Sequence, residues 1–243
     1  MQIHQQRDVR GHLQNLIDGA AFGEALGGAE QSAILSLWRT AQHHPANSKI
    51  DAHQGVPLIT SGWAGWLRLT DDGRRLIFLF LMPGDFVVPG LFGVRNCDLV
   101  CLTRVRTVDA SPLVADGGRA TPISSSLIAG GGLRYRDLLL DHMTRLMAGS
   151  TTSSIAHLLS EFHDRSLRLG ACVDGRFSVP IGQRTIAASL GRSTVQVNKV
   201  MSKFQADGLI RIGYDWVQVI DPDALRSLSG LTTISGGGPS IDD

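Results

Sequence analysis

The sequence predicts an α+β protein, with an antiparallel roll of strands toward its start and a helical domain closed by a β-hairpin toward its end. Three observations carry that prediction. Between residues 46 and 115, short runs rich in β-branched and aromatic side chains are broken by Gly, Pro and Asp, the punctuation of an antiparallel sheet. From Tyr135 onward apolar residues recur at helical spacing. Residues 176–228 then run strand, helix, glycine turn, helix, hairpin and short helix.

Taken in order, the first 45 residues carry mixed helical signals. Ile34, Leu35 and Trp38 would share a helix face, and His43-His44-Pro45 reads as a stop. "WAGWLRLTDDGRRLIFLFLMPGDFVV" (63–88) reads as strand, Asp-Asp-Gly turn, strand, Pro-Gly-Asp turn and further strand. An Asp-Gly between two apolar runs is a strong hairpin signal, and several such strands in succession build a small barrel or roll. The Gly/Ser-rich stretch 115–132 reads as a loop or broken connection. In "RYRDLLLDHMTRLMAG" (134–149), Leu139, Met143 and Leu146 form one stripe, a seam suited to packing on a partner. A second helical run ends at Gly170, with Ile155, Leu158, Leu159 and Phe162 on one face. "GRFSVPI" is a short strand, residues 183–208 form two helices around Gly191, "LIRIGYDWVQVID" is a hairpin, and Pro222 to Leu228 a last helix. The expected division is therefore 1–132 (helical segment plus roll), 133–152 (joining helix), 153–230 (C-terminal domain) and 231–243 (disordered tail).

Composition bounds the function. At 243 residues and 43% apolar, the chain can bury a substantial core. A formal net charge of +1 gives no bulk attraction for nucleic acid, so any such role must rest on a local patch. Three cysteines, an odd and small number, argue for a reducing interior rather than a disulfide framework. No signal-peptide h-region and no apolar run of membrane-spanning length is present in the sequence, so a cytoplasmic protein without a membrane partner is expected.

The order strand, helix, glycine turn, helix, hairpin is that of a winged helix-turn-helix. Ile186 and Leu190 of the first helix would face the core, and Ala187 lets the second helix cross closely. Val197 and Val200 of the second helix, expected over 193–204, would face inward. That leaves Thr194, Gln196, Asn198, Lys199 and Lys203 outward or flanking, with Ser193 as N-cap and a helix N-terminus able to hold a phosphate. Outward amides, hydroxyls and ammonium groups there are what base-edge and phosphate contacts require. From periodicity alone, residues 190–210 fit equally well a helix pair packed in an unrelated domain. Lys199 and Lys203 also fit a merely solvated face.

Residues 155–228 resemble the DNA-binding domain of Crp/Fnr-type transcription regulators, with "IAHLL", "FSVPIGQRTIAASLG", "VNKV", "DGLI" and "DPDALRSL" in family order. Upstream, "GWAGWLRLTDDGRRLIFLFLMPGDF" resembles the same family's cyclic-nucleotide-binding β-roll. The resemblance implies a homodimer, joined through the helix near 133–150, with one recognition helix per half-site of a near-palindromic double-stranded operator. It implies RNA polymerase as a further partner if the protein activates transcription. Carried over by position, Thr194, Val195 and Lys199 fall where the family reads bases. Ser193, Gln196 and Arg184 fall where it touches backbone, and Arg192 lies in the turn beside them.

The departures are specific. After Gly84-Asp85-Phe86 the nucleotide-binding members carry a Gly-Glu-Leu motif, whose Glu holds the ribose; here Val87-Val88-Pro89 follows. Where they carry an Arg-Ser pair for the cyclic phosphate, Asp98-Leu99 is the nearest equivalent, and an anion there repels a phosphate. Cyclic AMP binding is therefore not expected, and no cofactor is implied. Thr194 and Val195 also replace the Arg and Glu many members use for base contacts, and Gly182 replaces the usual Ser/Thr cap of the first helix.

Other chemistry finds less support. Cys97 and Cys101 suit strand-borne core positions better than a redox pair or metal ligands, and residues 1–30 lack the cysteine group of the family's iron–sulfur sensors. His157 and His163 lie six apart, not the three or four that bring two ligands together on a helix. Trp63 and Trp66 fall on opposite sides of a strand by parity, one in the core and the other free to line a pocket. No nucleophile–base arrangement is legible, so an enzyme is not expected. The competing reading is a ligand-sensing or protein-partner-binding module whose winged domain does not read DNA sequence.

Overall fold

A computed structural model describes residues 36–37, 41–51, 55–87, 97–111, 122–147 and 150–230, with side chains in the 122–147 helix described from Arg134 onward. The roll consists of two three-stranded antiparallel sheets. β1 (Gln42–His44), β2 (Pro57–Ser61) and β6 (Val105–Asp109) form one, in the order β1-β6-β2. β3 (Ala64–Leu69), β4 (Arg75–Leu81) and β5 (Cys97–Cys101) form the other, in the order β4-β3-β5. The Asp-Asp-Gly turn closes the β3–β4 hairpin as expected, with the Gly73 N–H donating to Thr70 O at 2.9 Å.

Two expectations need correction here. His43-His44 does not stop a helix: it lies in β1, paired with Arg106 and Val105. Pairing with β6 supplies a tertiary partner that no local signal announces. The strand expected after the Pro-Gly-Asp turn reduces, among the described residues, to an isolated bridge between Phe86 and Leu58. The expected helix around Ile34, Leu35 and Trp38 and the tail 231–243 lie outside the described residues.

The β3–β4 register slips once. Trp66 pairs with Leu79 and Leu67 with Ile77, so Phe78 is an extra residue in β4. Such a bulge inverts the alternation of faces beyond it. Leu79 and Leu81 consequently join Trp66, Leu99 and Cys101 inside the roll, whereas Ile77, Phe80 and Met82 join Trp63 and Leu67 on the outer face. Both tryptophans are buried, on opposite faces as parity predicts, Trp63 in the outer cluster and Trp66 in the inner one. Cys97 and Cys101 pack against the inner cluster, as expected of strand-borne core residues.

The outer face is covered by the C-terminal domain. α1 (Pro122–Met147) leads into α2 (Thr151–Arg168), then β7 (Arg176–Ser178), α3 (Gln183–Leu190), α4 (Thr194–Ala206), β8 (Ile210–Ile212), β9 (Trp216–Val219) and α5 (Pro222–Ser229). Trp63, Phe80 and Phe162 form a T-shaped cluster with ring centroids 4.7–6.2 Å apart, joining roll and α2 in one core. α1 differs from its sequence expectation. The Gly/Ser-rich run read as a loop is helical from Pro122, and Ser150, the N-cap of α2, interrupts the helix expected to run on to 152. Each glycine in a helix costs about 1 kcal/mol. Extending an existing helix is nonetheless far easier than nucleating one, and residues 134–147 are anchored by packing.

Candidate nucleic-acid interface

α3, the turn at Gly191 and α4 form the helix-turn-helix, and the sheet β7-β9-β8 forms the wing behind it. Gly191 closes α3 at φ 61°, where its N–H donates to Ala187 O; a β-carbon there would meet steric cost. Ile186, Ala187 and Leu190 of α3 are buried, as are Val197, Met201 and Phe204 of α4. Val200, expected inward, is half-buried and packs against that core.

The start of α4 is fixed by a capping box. Ser193 Oγ accepts from Gln196 N at 3.2 Å, and Gln196 Oε1 accepts from Ser193 N at 3.0 Å. The two side chains thus satisfy two of the helix's unpaired terminal donors. The Gln196 carbonyl is committed, leaving its amide NH2 as the outward donor. Neither α3 nor α4 has an acidic residue in its first turn, so the positive ends of both helix dipoles stand uncompensated, a setting that favours an anion.

The predicted residues are brought together. Arg184, Ser193, Thr194, Val195, Gln196, Asn198, Lys199 and Lys203 are exposed, and Arg192 is half-buried with its Nε enclosed and unpartnered. With three buried positions defining the core side, Val195, Asn198, Lys199 and Ser202 form the centre of the opposite face, at i, i+3, i+4 and i+7. Ser202 escaped sequence reading because a lone Ser at helical spacing carries no motif; its distance from Val195 and Lys199 would have found it. Tyr214 was missed as well. It sits fully exposed in the wing turn between β8 and β9. Gly213 precedes it because a β-carbon there would lie 2.1 Å from the Trp216 ring. Trp216 is itself held under the Arg176 guanidinium, 3.9 Å from its centroid.

A buried ionic network ties this module to the roll. Asp85, in the Pro-Gly-Asp turn, accepts from Met82 N at 2.7 Å and Arg134 Nε at 3.0 Å, and pairs with Arg165 Nη2. Arg165, with a side chain 0% exposed, also donates to Phe80 O and to Glu161 Oε1, and Glu161 pairs in turn with Arg145 of α1. Burial pushes the Glu161 carboxyl up, but Arg145 and Arg165 outweigh it and hold it below the usual range. Burial opposes the Arg165 charge, and the Asp85 and Glu161 carboxylates restore it. His142 and His157, enclosed between α1 and α2, are pushed down to about 4 by burial and then by Arg145.

In the roll, Asp98 is ion-paired with Lys49 at 2.9 Å. Among the described residues no group of three His, Cys, Asp or Glu side chains could hold a metal, and no helix is long and apolar enough to cross a membrane.

A capped helix presenting a polar face, a glycine turn and a wing define a DNA-binding winged helix-turn-helix joined to a β-roll. Residues 153–228 match the family model of the Crp-like helix-turn-helix domain. The chain is 27% identical to the transcriptional activatory protein AadR of Rhodopseudomonas palustris, across 88% of this chain and 90% of that one. It is 28% identical to the nitrogen fixation regulation protein FixK of Bradyrhizobium diazoefficiens, across 67% and 68%. The FixK2 structure from Bradyrhizobium japonicum superposes with TM-score 0.66 at 24% identity, covering 79% of this chain and 98% of that one. A CRP-family regulator from Thermus thermophilus gives 0.60 at 20% identity, covering 78% and 97%. Residues 153–228 thus carry a Crp-like helix-turn-helix domain, and the chain as a whole is similar to transcription regulators of the Crp/Fnr type.

Proposed function

We propose that the protein works as a homodimer that binds a near-palindromic operator, laying one α4 into the major groove of each half-site. The outward face of α4 carries this reading: it is capped, free of first-turn acids and polar around Val195. Ser193, Gln196, Arg184, Arg192 and the wing hold phosphates, while Thr194, Val195, Asn198 and Lys199 face base edges and Lys203 adds charge at the far end. The pairing surface is the outward stripe of α1. Leu140, Met143, Leu146 and Met147 are 45–80% exposed, while Tyr135, Leu138, His142 and Arg145 face the protein. An apolar stripe of this kind on a long helix is the seam of a helix pair.

The sensing roll works without cyclic nucleotide. By the family resemblance Asp98 is the nearest equivalent of the pair that grips the cyclic phosphate, and Asp85 is committed to Arg134 and Arg165. The roll biases the reading helices through α1 and the Asp85–Arg165–Glu161–Arg145 network. Selection of bound duplexes from a random pool, with and without cyclic nucleotides, tests the reading. The expected result is one enriched inverted repeat, unchanged by nucleotide, whose affinity falls steeply with salt as phosphate contacts release counterions. Failure of any sequence to be enriched would overturn it in favour of a protein-contacting winged domain.

A further inference from the structure

We propose that Val195 selects a thymine in each half-site by packing on its 5-methyl group. This rests on α4 being the helix that enters the groove. Val195 is 76% exposed in the first turn of α4 and has no part in the core formed by Val197, Met201 and Phe204. Its neighbours on the outward face, Asn198, Lys199 and Ser202, all carry hydrogen-bonding groups. Val195 alone at the centre of that face can neither donate nor accept. Among the base edges of the major groove, the one apolar feature is the thymine methyl. A branched side chain with one preferred rotamer in a helix offers that methyl a fixed surface without losing conformational freedom on binding. The capping box locks the first turn, so the two Val195 methyl groups are held at a set depth below the helix N-terminus. Thr194 beside it adds a further methyl group and a hydroxyl, which suits an adjacent base.

Deoxyuridine differs from thymidine in lacking that methyl, so replacing each thymine of the selected duplex by deoxyuridine, one at a time, isolates the contact. At one thymine per half-site the native protein should bind about fourfold more weakly, the cost of one unburied methyl-sized group. Val195→Ala should bind the thymine duplex more weakly but respond to deoxyuridine at that position by no more than about twofold, the noise of a double-mutant cycle. Val195→Glu should shift the preferred base at the same position toward cytosine, whose N4 amino group a carboxylate accepts. A deoxyuridine penalty that is equal in native protein and Val195→Ala at every thymine overturns the inference. So does an operator with no deoxyuridine-sensitive thymine. Either outcome would leave an enriched operator, and hence the regulator reading, in place; absence of enrichment defeats both.

Discussion

At the residue scale, the proposed binding rests on a few side chains of α4, whose first turn is fixed by its capping box. Ser193 and Gln196 use part of their hydrogen-bonding capacity on each other, which orders the turn before DNA arrives and lowers the entropy lost on binding. Lys199 carries the one positive charge at the centre of the face. Lys199→Ala is expected to weaken operator binding roughly tenfold and binding to random duplex much less. Equal losses in the two titrations would move Lys199 to a backbone role. The outward placement of Thr194, Asn198 and Lys199 was legible in the sequence because the capping signature and inward valines set the helix phase. Ser202 and Tyr214 were not, since one lacks a motif and the other depends on the wing being folded against Trp216.

At the scale of elements, α1 carries two faces with different duties. Its outward stripe is apolar and exposed, so under the proposed pairing Met143→Glu should yield a monomer in sedimentation and weaken operator binding. A dimer of unchanged stability would place the pairing surface elsewhere. Its inward face buries His142, which like His157 of α2 lies in the field of Arg145 and Glu161, with Asp141 3.7 Å from His157. Both imidazoles have folded values of about 4, below the ordinary 6.5. The unfolded chain therefore binds their protons first as pH falls, and stability is lost from about pH 6.5 down to about 4. Glu161, held below its ordinary value, is lost in the same direction at the acid end. Denaturant melts at pH 7.5 and pH 5 should differ by roughly 1–2 kcal/mol per imidazole. His142→Gln and His157→Gln should each shrink that difference, and a variant with an undiminished slope would remove its histidine from the account. The helical half of α1 after Arg134 was legible from its period. The half through Gly130, Gly131 and Gly132 was not, because local propensity there opposes what an already anchored helix extends.

At the scale of the molecule, roll and reading domain share one core and one chain of buried charges. Asp85, Arg165, Glu161 and Arg145 link a turn of the roll, α2 and α1. Removing one member of such a network strands the others. Arg165→Met keeps most of the volume yet leaves Asp85 and Glu161 without their shared cation, and should cost on the order of 3–5 kcal/mol. Asp85→Asn combined with Arg165→Met should cost less than the sum of the single changes, because the two act through one contact. Additive costs in denaturant melts would show that the network does not couple the roll to the reading domain.

The sequence by itself determined the α+β class, the hairpin at Asp-Asp-Gly, the helix-turn-helix and most of its outward face. Each is encoded by local chemistry: turn residues, caps and hydrophobic period. Tertiary structure alone decided that His43-His44 is a strand, that the Phe78 bulge turns Phe80 and Met82 outward, and that both tryptophans are buried. It alone brought Asp85 to Arg165, 80 residues apart in the chain. These outcomes depend on partners distant in sequence, and no local pattern encodes a partner's position.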